Sequence, residues 1–236
     1  MGRVVTFEDL PYRQTAAGVK RASITGPEMK AMAAEVIRLD PGATLTELVP
    51  SGSDLYLFTL TGRVVITGAG SKHTVIEEAF VTLEEGTSLT VANPAGAEAW
   101  LIGVLAPPTA GTRAGFSGGL AVAARATAPV HDVREELKRR IYFVGEHAAR
   151  SERAHAMIVL YEKDTVTGMH MHPNAESMFV LLSGKTRFSV NGEDVIVGRG
   201  QATYFPMSDR HGLRVAEGDV SFLEFHVPAG FTTVRG

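Results

Sequence analysis

Short runs in which apolar and polar residues alternate recur along most of the chain, and Gly, Pro, Asn and Asp separate them. A period of two is typical of β-strands with one buried face, and the separating residues mark turns. The runs occur twice, from about residue 34 to 105 and again from about 156 to 227. The pattern predicts an all-β protein built from two similar halves.

One block shows the repeat most clearly, because DLYLFTLTG of the first half matches ESMFVLLSG of the second when Gly62 is aligned with Gly184. We therefore predict one domain over residues 1–110, a connector over 111–150 and a second domain over 151–236. The connector begins rich in Gly, Ala, Thr and Pro, as linkers do. Its later part has the apolar spacing of a short amphipathic helix, although its IYFV run fits a strand equally well.

Composition excludes several classes of partner. The chain has 236 residues, of which 44% are hydrophobic and 21% charged, so it can bury a substantial core. A net charge of −3 provides no basic field that would attract nucleic acid or an anionic membrane surface. Neither a membrane-span-length apolar stretch nor a secretory signal is visible, so we expect a cytoplasmic protein.

The segment GMHMHPNAESMFVLLSG contains the most informative polar residues. Strand side chains alternate between faces, so His170 and His172 point the same way, and Glu176 keeps their parity across a short Pro-Asn turn. His211, in the later segment FPMSDRHGL, can join them. Three imidazoles and one carboxylate suit a divalent first-row metal ion, and the absence of cysteine excludes thiolate ligands. The alternative is that these histidines only pack or face solvent.

Taken together, these residues resemble the two sequence motifs of the cupin family. The positions that match are Gly168, His170, His172, Glu176 and Gly184 in the first motif, and Gly200, Pro206 and His211 in the second. Ser208 replaces the inner glycine of the second motif, and Gly168 stands closer to His170 than is usual. The resemblance implies two cupin (jelly-roll) barrels and a divalent ion, Mn, Fe, Ni or Zn, held by His170, His172, Glu176 and His211.

The first half lacks a comparable set of ligands. The alignment places Leu48, Pro50 and Asp54 where the second half has its histidines and Glu176, and neither leucine nor proline coordinates a metal. We therefore predict one metal ion per chain, bound by the C-terminal half.

The same alternation of strand side chains predicts the wall of a small-molecule pocket. Residues in phase with Glu176 should form an apolar wall below the metal, and the candidate substrate contacts are Met178, Phe188 and Tyr204. In the last strand, Glu224 and His226 alternate with a more apolar face, so we expect both to point outward.

The sequence leaves the reaction open, since a bound metal can polarise a carbonyl, activate water or bind dioxygen. The cupin resemblance implies a metal-dependent enzyme acting on a small oxygen-rich metabolite, with dioxygenase chemistry of the quercetin dioxygenase type favoured. Oxalate decarboxylase-like enzymes fit less well, because they are longer and have metal sites in both barrels. The alternatives are a hydrolase or lyase resembling ureidoglycine aminohydrolase and a non-catalytic cupin that binds a small ligand. Exposed strand edges in such folds often pair between chains, so we expect a homodimer.

Overall fold

A computed structural model describes residues 3–107, 111–145, 147–190 and 192–236. Most of these residues lie in β-strands, and the helical segments among them are two 3₁₀ turns, Phe7–Asp9 and Arg134–Glu136. The predicted all-β fold is confirmed. Within the described ranges, no helix has the length and hydropathy of a transmembrane span.

Twenty-one strands are defined over the described residues. The first eleven are β1 Arg3–Thr6, β2 Arg13–Ala16, β3 Val19–Ser23, β4 Ala33–Leu39, β5 Thr44–Leu48, β6 Asp54–Thr61, β7 Arg63–Gly68, β8 Ser71–Ile76, β9 Ala79–Leu83, β10 Ser88–Ala92 and β11 Ala99–Ala106. The others are β12 Leu120–Ala124, β13 Val130–Val133, β14 Lys138–Val144, β15 His155–Tyr161, β16 Val166–Met171, β17 Glu176–Val190, β18 Glu193–Gly198, β19 Gln201–Phe205, β20 His211–Val227 and β21 Val234–Arg235.

These strands form two antiparallel barrels. The first barrel has a seven-stranded sheet in the order β12-β9-β6-β11-β4-β3-β2 and a four-stranded sheet in the order β5-β10-β7-β8. The second barrel is one sheet built around the long strands β17 and β20. Strand β1, from the start of the chain, pairs with β19 of the second barrel. The N-terminal segment thus ties the two barrels together.

The segment between the repeats contributes strands to both barrels. β12 pairs with β9 of the first barrel, while β14 pairs with β15 of the second. The amphipathic helix expected here is wrong, and its strand alternative is correct. The apolar run at the end of β14 is buried on both faces, because Tyr142 joins the core of the second barrel while Ile141 and Phe143 join the cluster between the barrels. Burial on both faces favours a strand over a helix with one exposed face.

Buried side chains form three clusters, one inside each barrel and the largest one between the barrels. Strand β17 therefore buries both of its faces. Met178 and Val180 pack between the barrels, whereas Phe179 and Leu181 face the interior of the second barrel. A strand that is buried on both sides gives no sequence signal for which apolar face is the inner one.

A buried ion pair fastens the segment between the repeats to the first barrel. The Arg153 guanidinium lies 2.9 Å from the carboxylate of Asp54, which is fully buried, and 2.7 Å from that of Glu85. Asp54 also accepts hydrogen bonds from the Tyr56 hydroxyl at 2.9 Å and the Phe116 N–H at 2.9 Å. Asp54 aligns with Glu176 in the repeat. In the structure it binds Arg153 and so anchors the segment between the repeats to the first barrel.

Candidate metal centre

Two neighbouring strands bring three histidines together at one end of the second barrel. His170 lies near the end of β16, His172 directly follows that strand, and His211 begins β20. His170 and His211 are partners across the β16–β20 ladder. One ring nitrogen of each histidine lies within 4.8 Å of those of the other two, and all three residues are buried. The structure thus unites three of the four predicted ligands.

Backbone carbonyls fix the orientation of all three rings. The Nδ1 atoms of His170, His172 and His211 lie 2.9, 3.0 and 3.0 Å from the carbonyl oxygens of Gly168, Thr232 and Asp209. A carbonyl oxygen only accepts, so each Nδ1 carries the proton and each Nε2 keeps its lone pair. This is the arrangement that orients metal-binding imidazoles.

Two of these Nε2 atoms are buried without a partner. Those of His172 and His211 have no hydrogen bond within the described part of the chain. Such an orphan is costly unless something binds it. Burial lowers the pKa of His172 to about 4 and that of His211 to about 3. Both rings are therefore neutral at physiological pH, as metal coordination requires, and the residues present fit a divalent ion.

Glu176 lies on the other face of its strand, away from the histidines. Its carboxylate accepts hydrogen bonds from the backbone N–H groups of Lys30, Ala31 (2.9 Å) and Met32 (3.0 Å), which belong to the first-barrel half. Burial raises the pKa of Glu176, although these three N–H groups oppose that effect. The Pro173-Asn174 turn resets the alternation, so the parity argument for Glu176 fails. The predicted fourth ligand instead binds the segment that crosses from the other barrel.

Ser177 occupies the inward position next to Glu176. Its hydroxyl lies 2.9 Å from Nδ1 of His226, inside the second barrel. The cupin motif allows three or four residues between the second histidine and the acid, and the four-residue spacing after His172 ends at Ser177. Both spacings fit the motif, so the sequence alone did not identify Ser177 as the inward residue.

The turn before His211 keeps the geometry of the glycine that the motif expects there. Ser208 has φ of +67°, the left-handed region that glycine favours, and its N–H donates to the carbonyl oxygen of His172 at 2.9 Å. The backbone hydrogen bond fixes this turn next to the second histidine. The departure from the motif thus changes the residue and not the conformation.

A cavity of about 1480 Å³ opens beside the histidines. It contains two polar residues that we expected, from the alternation of faces along β20, to point outward. Glu224 and His226 line it, and Nε2–H of His226 donates to Oε1 of Glu224 at 2.6 Å. That expectation is wrong because the apolar face of β20, which includes Leu223 and Phe225, packs between the barrels. The polar face therefore lines the barrel interior.

The C-terminal segment forms one wall of this cavity. Phe231 stacks on the His226 ring at a centroid distance of 4.0 Å and meets the His172 ring edge-on at 5.1 Å. Asn174 holds the segment in place, accepting from the Thr232 N–H at 2.8 Å and donating to the Gly230 carbonyl at 3.0 Å. The carbonyl that orients His172 therefore depends on this anchor.

None of the three predicted substrate contacts lines the cavity. Met178 and Tyr204 belong to the cluster between the barrels, where the Tyr204 hydroxyl donates to Glu28 at 3.0 Å. Phe188 does face the interior of the second barrel, but it packs against Phe179, which lines the cavity. Met178 lies outside the cavity because the face of β17 that it shares with Glu176 packs between the barrels.

The described residues of the first barrel include no equivalent histidine cluster. Leu48 is 65% exposed, and Asp54 is engaged by Arg153. Across the described ranges, the three histidines of the second barrel are the one group of three or more side chains that could hold a metal ion. One metal ion per chain stays a prediction.

Comparison with known proteins supports the cupin resemblance. The family model described as "Cupin domain" matches residues 157–226, which form most of the second barrel. A search among curated proteins finds no match.

Solved structures extend the likeness to both barrels. The protein Ylba from E. coli is similar with a TM-score of 0.78 and 10% identity, over 96% of this chain and 90% of that one. Oxalate decarboxylase from Lactobacillus farciminis, in a formate complex, is similar with a TM-score of 0.75 and 13% identity, over 98% of this chain and 88% of that one. A variant of Bacillus subtilis oxalate decarboxylase is similar with a TM-score of 0.73 and 15% identity, over 98% of this chain and 78% of that one. At these identities the likeness concerns the fold, and it confirms the two-barrel architecture.

Proposed function

We propose that this chain, which has the two-barrel fold of the cupin superfamily, is a metal-dependent enzyme acting on a small oxygen-rich metabolite, with dioxygenase-type chemistry. One observation carries the proposal: three buried imidazoles lie within reach of a single ion, and the Nε2 atoms of His172 and His211 have no other partner among the described residues. Imidazole donors suit iron, nickel, zinc and, in a mixed site, manganese.

The number of protein ligands matters for the chemistry. Three side chains leave several positions open on a six-coordinate ion, as in the open facial sites of non-haem iron oxygenases. Glu176 is engaged elsewhere, so the protein adds no carboxylate charge from that position. A metal ion here would supply Lewis acidity and, if redox-active, a binding position for dioxygen.

The chain's own residues prepare the site for a substrate. Gly168, Thr232 and Asp209 hold the imidazoles in the metal-binding tautomer through their carbonyl oxygens. Apolar rings such as Phe179 and Phe231 line the adjacent cavity and limit water near the reacting group. The rest of the lining is largely polar and charged, which suits an oxygen-rich ligand better than an apolar one.

The test is oxygen consumption by protein from which metal has been removed and then restored singly as Fe(II), Mn(II), Ni(II) or Zn(II). Candidate diketones and hydroxylated carboxylates serve as substrates. Dioxygenase chemistry predicts oxygen uptake with a redox-active metal, and none with zinc or with a His211→Ala variant. Turnover that needs no oxygen, or that proceeds equally without metal, would overturn the proposal.

A hydrolase or lyase is the second candidate, and the Glu224–His226 pair favours it. That pair lies in the cavity with the histidines and provides groups that can move a proton. The similar oxalate decarboxylase from L. farciminis was solved in complex with formate, a small carboxylate. Turnover with zinc under anaerobic conditions would favour this candidate over the dioxygenase. Ligand binding without any turnover would instead favour a non-catalytic binding protein.

A further inference from the structure

Glu224 differs from the other acidic residues that line the cavity. Its side chain is 12% exposed, whereas the others are exposed residues near the mouth. Those others are Glu135, Glu136, Glu152 and Asp164. A carboxylate is rarely withdrawn from water without a specific partner or function. Glu224 therefore needs an explanation that the mouth residues do not.

His226 explains only part of that placement. Its Nε2–H donates to Oε1 of Glu224 at 2.6 Å, and the Ser177 hydroxyl lies 2.9 Å from its Nδ1. A carboxylate has acceptor sites on both oxygens, so Glu224 can accept a further donor without releasing His226. The imidazole thus fixes the carboxylate while leaving it capacity for another hydrogen bond.

The charge of Glu224 points to the nature of that donor. Burial alone would raise the pKa of Glu224, but the hydrogen bond and charge of His226, with the charges of His155 and Arg140, hold the pKa below its ordinary value. Glu224 is thus an anion at neutral pH. Arg140 is partly exposed and pairs with Glu136 at the mouth, at 3.6 Å. The fixed negative charge is therefore located deep in the cavity.

The histidine cluster provides the opposite polarity. Neutral imidazoles would leave a divalent ion with both of its positive charges, so an anionic oxygen would bind there. We propose that Glu224 is the second recognition point of this cavity, and that the ligand is a small carboxylate bearing a hydroxyl or ammonium group. Its carboxylate binds at the histidine cluster and its donor group pairs with Glu224. This inference rests on the proposed function, because it requires a metal ion at the histidines.

The cavity wall is compatible with such a donor. Tyr142 and Phe231 line the same space, and aromatic faces attract an ammonium group. A ligand without a donor would instead remove water from Glu224 and return no hydrogen bond, which weakens its binding. Discrimination by a polar group is stronger than discrimination by an added methylene for this reason.

Isothermal titration calorimetry of the zinc-loaded protein tests the inference without turnover. The probes are matched pairs that differ in the donor: acetate and glycine, propionate and β-alanine or 3-hydroxypropionate, and butyrate and γ-aminobutyrate. The expected result is that the donor-bearing member of at least one pair binds about tenfold more tightly. The three chain lengths allow for the span between the ion and Glu224.

Glu224→Gln should abolish that preference while keeping one zinc ion per chain, because it keeps the size of the side chain and removes its charge. Glu152→Gln, at the exposed mouth, is the matched control and should keep the preference. Equal binding within every pair, a preference that survives in Glu224→Gln, or loss of zinc from that variant would overturn the inference. Failure of the metal site on which the proposed function depends looks different, since the wild-type protein would then take up no zinc, and failure of the oxygen chemistry alone would appear only in the oxygen-uptake assay.

Discussion

Replacing Glu176 tests whether this residue stabilises the contact between the barrels or binds the metal ion. Its carboxylate accepts three backbone N–H groups, of Lys30, Ala31 and Met32. A buried donor without an acceptor costs about 1–3 kcal/mol. Only Met32 of the three residues is fully buried, so water can satisfy part of the loss after Glu176→Ala. We expect the free energy of unfolding to fall by about 2–4 kcal/mol in Glu176→Ala, and by less in Glu176→Gln, which keeps one acceptor.

The assay is urea unfolding of metal-free protein, because a bound ion would add its own stabilisation. Metal content after reconstitution is measured on the same samples. The geometry predicts that Glu176→Gln keeps one ion per chain, although it unfolds at lower urea. His172→Ala is the matched comparison, with the ion lost and the barrel interface unchanged. A folded Glu176→Gln protein that has lost its ion would refute the reasoning, because Glu176 would then be a ligand.

Three further predictions follow from particular contacts. Asn174→Ala releases the segment that orients His172 and should weaken metal binding about 10-fold or more, as outer contacts of metal ligands do; calorimetry showing unchanged affinity would contradict it. Asp54→Ala removes the buried partner of Arg153 and leaves only the more exposed Glu85 to pair with its charge, so it should cost about 3 kcal/mol of stability without changing the metal content, and a loss below about 1 kcal/mol would count against it. Burial lowers the pKa values of His172 and His211 in the folded protein, so below about pH 6.5 the unfolded chain binds more protons than the folded one. The metal-free protein should therefore lose stability as the pH falls from about 6.5 through about 4 to about 3. Thermal unfolding that shows the same stability across this pH window would be inconsistent with buried neutral rings.

The sequence predicted the parts of the site that depend on local spacing. His170 and His172 are two residues apart on an extended segment, so they converge whatever surrounds them. His211 follows a turn whose backbone conformation is kept even though Ser208 replaces glycine. The duplicated architecture was also visible, because both halves repeat the same strand pattern around Gly62 and Gly184.

What the sequence could not show is which face of a doubly buried strand meets which core. Met178 and Phe179 are equally apolar, and only the packing of one barrel against the other assigns Met178 to the interface. The same ambiguity hid Glu224 and His226, whose neighbours on β20 appeared to be the core face. For Glu176, the partners are backbone groups more than 140 positions away in the chain, which no local pattern reveals.

The most direct test of the metal centre is elemental analysis of protein that has been treated with chelator, reconstituted with a single divalent metal and freed of excess ion. The account predicts one ion per chain in the wild-type protein and none in a folded His211→Ala variant. Two ions per chain, or an ion retained by His211→Ala, would contradict it.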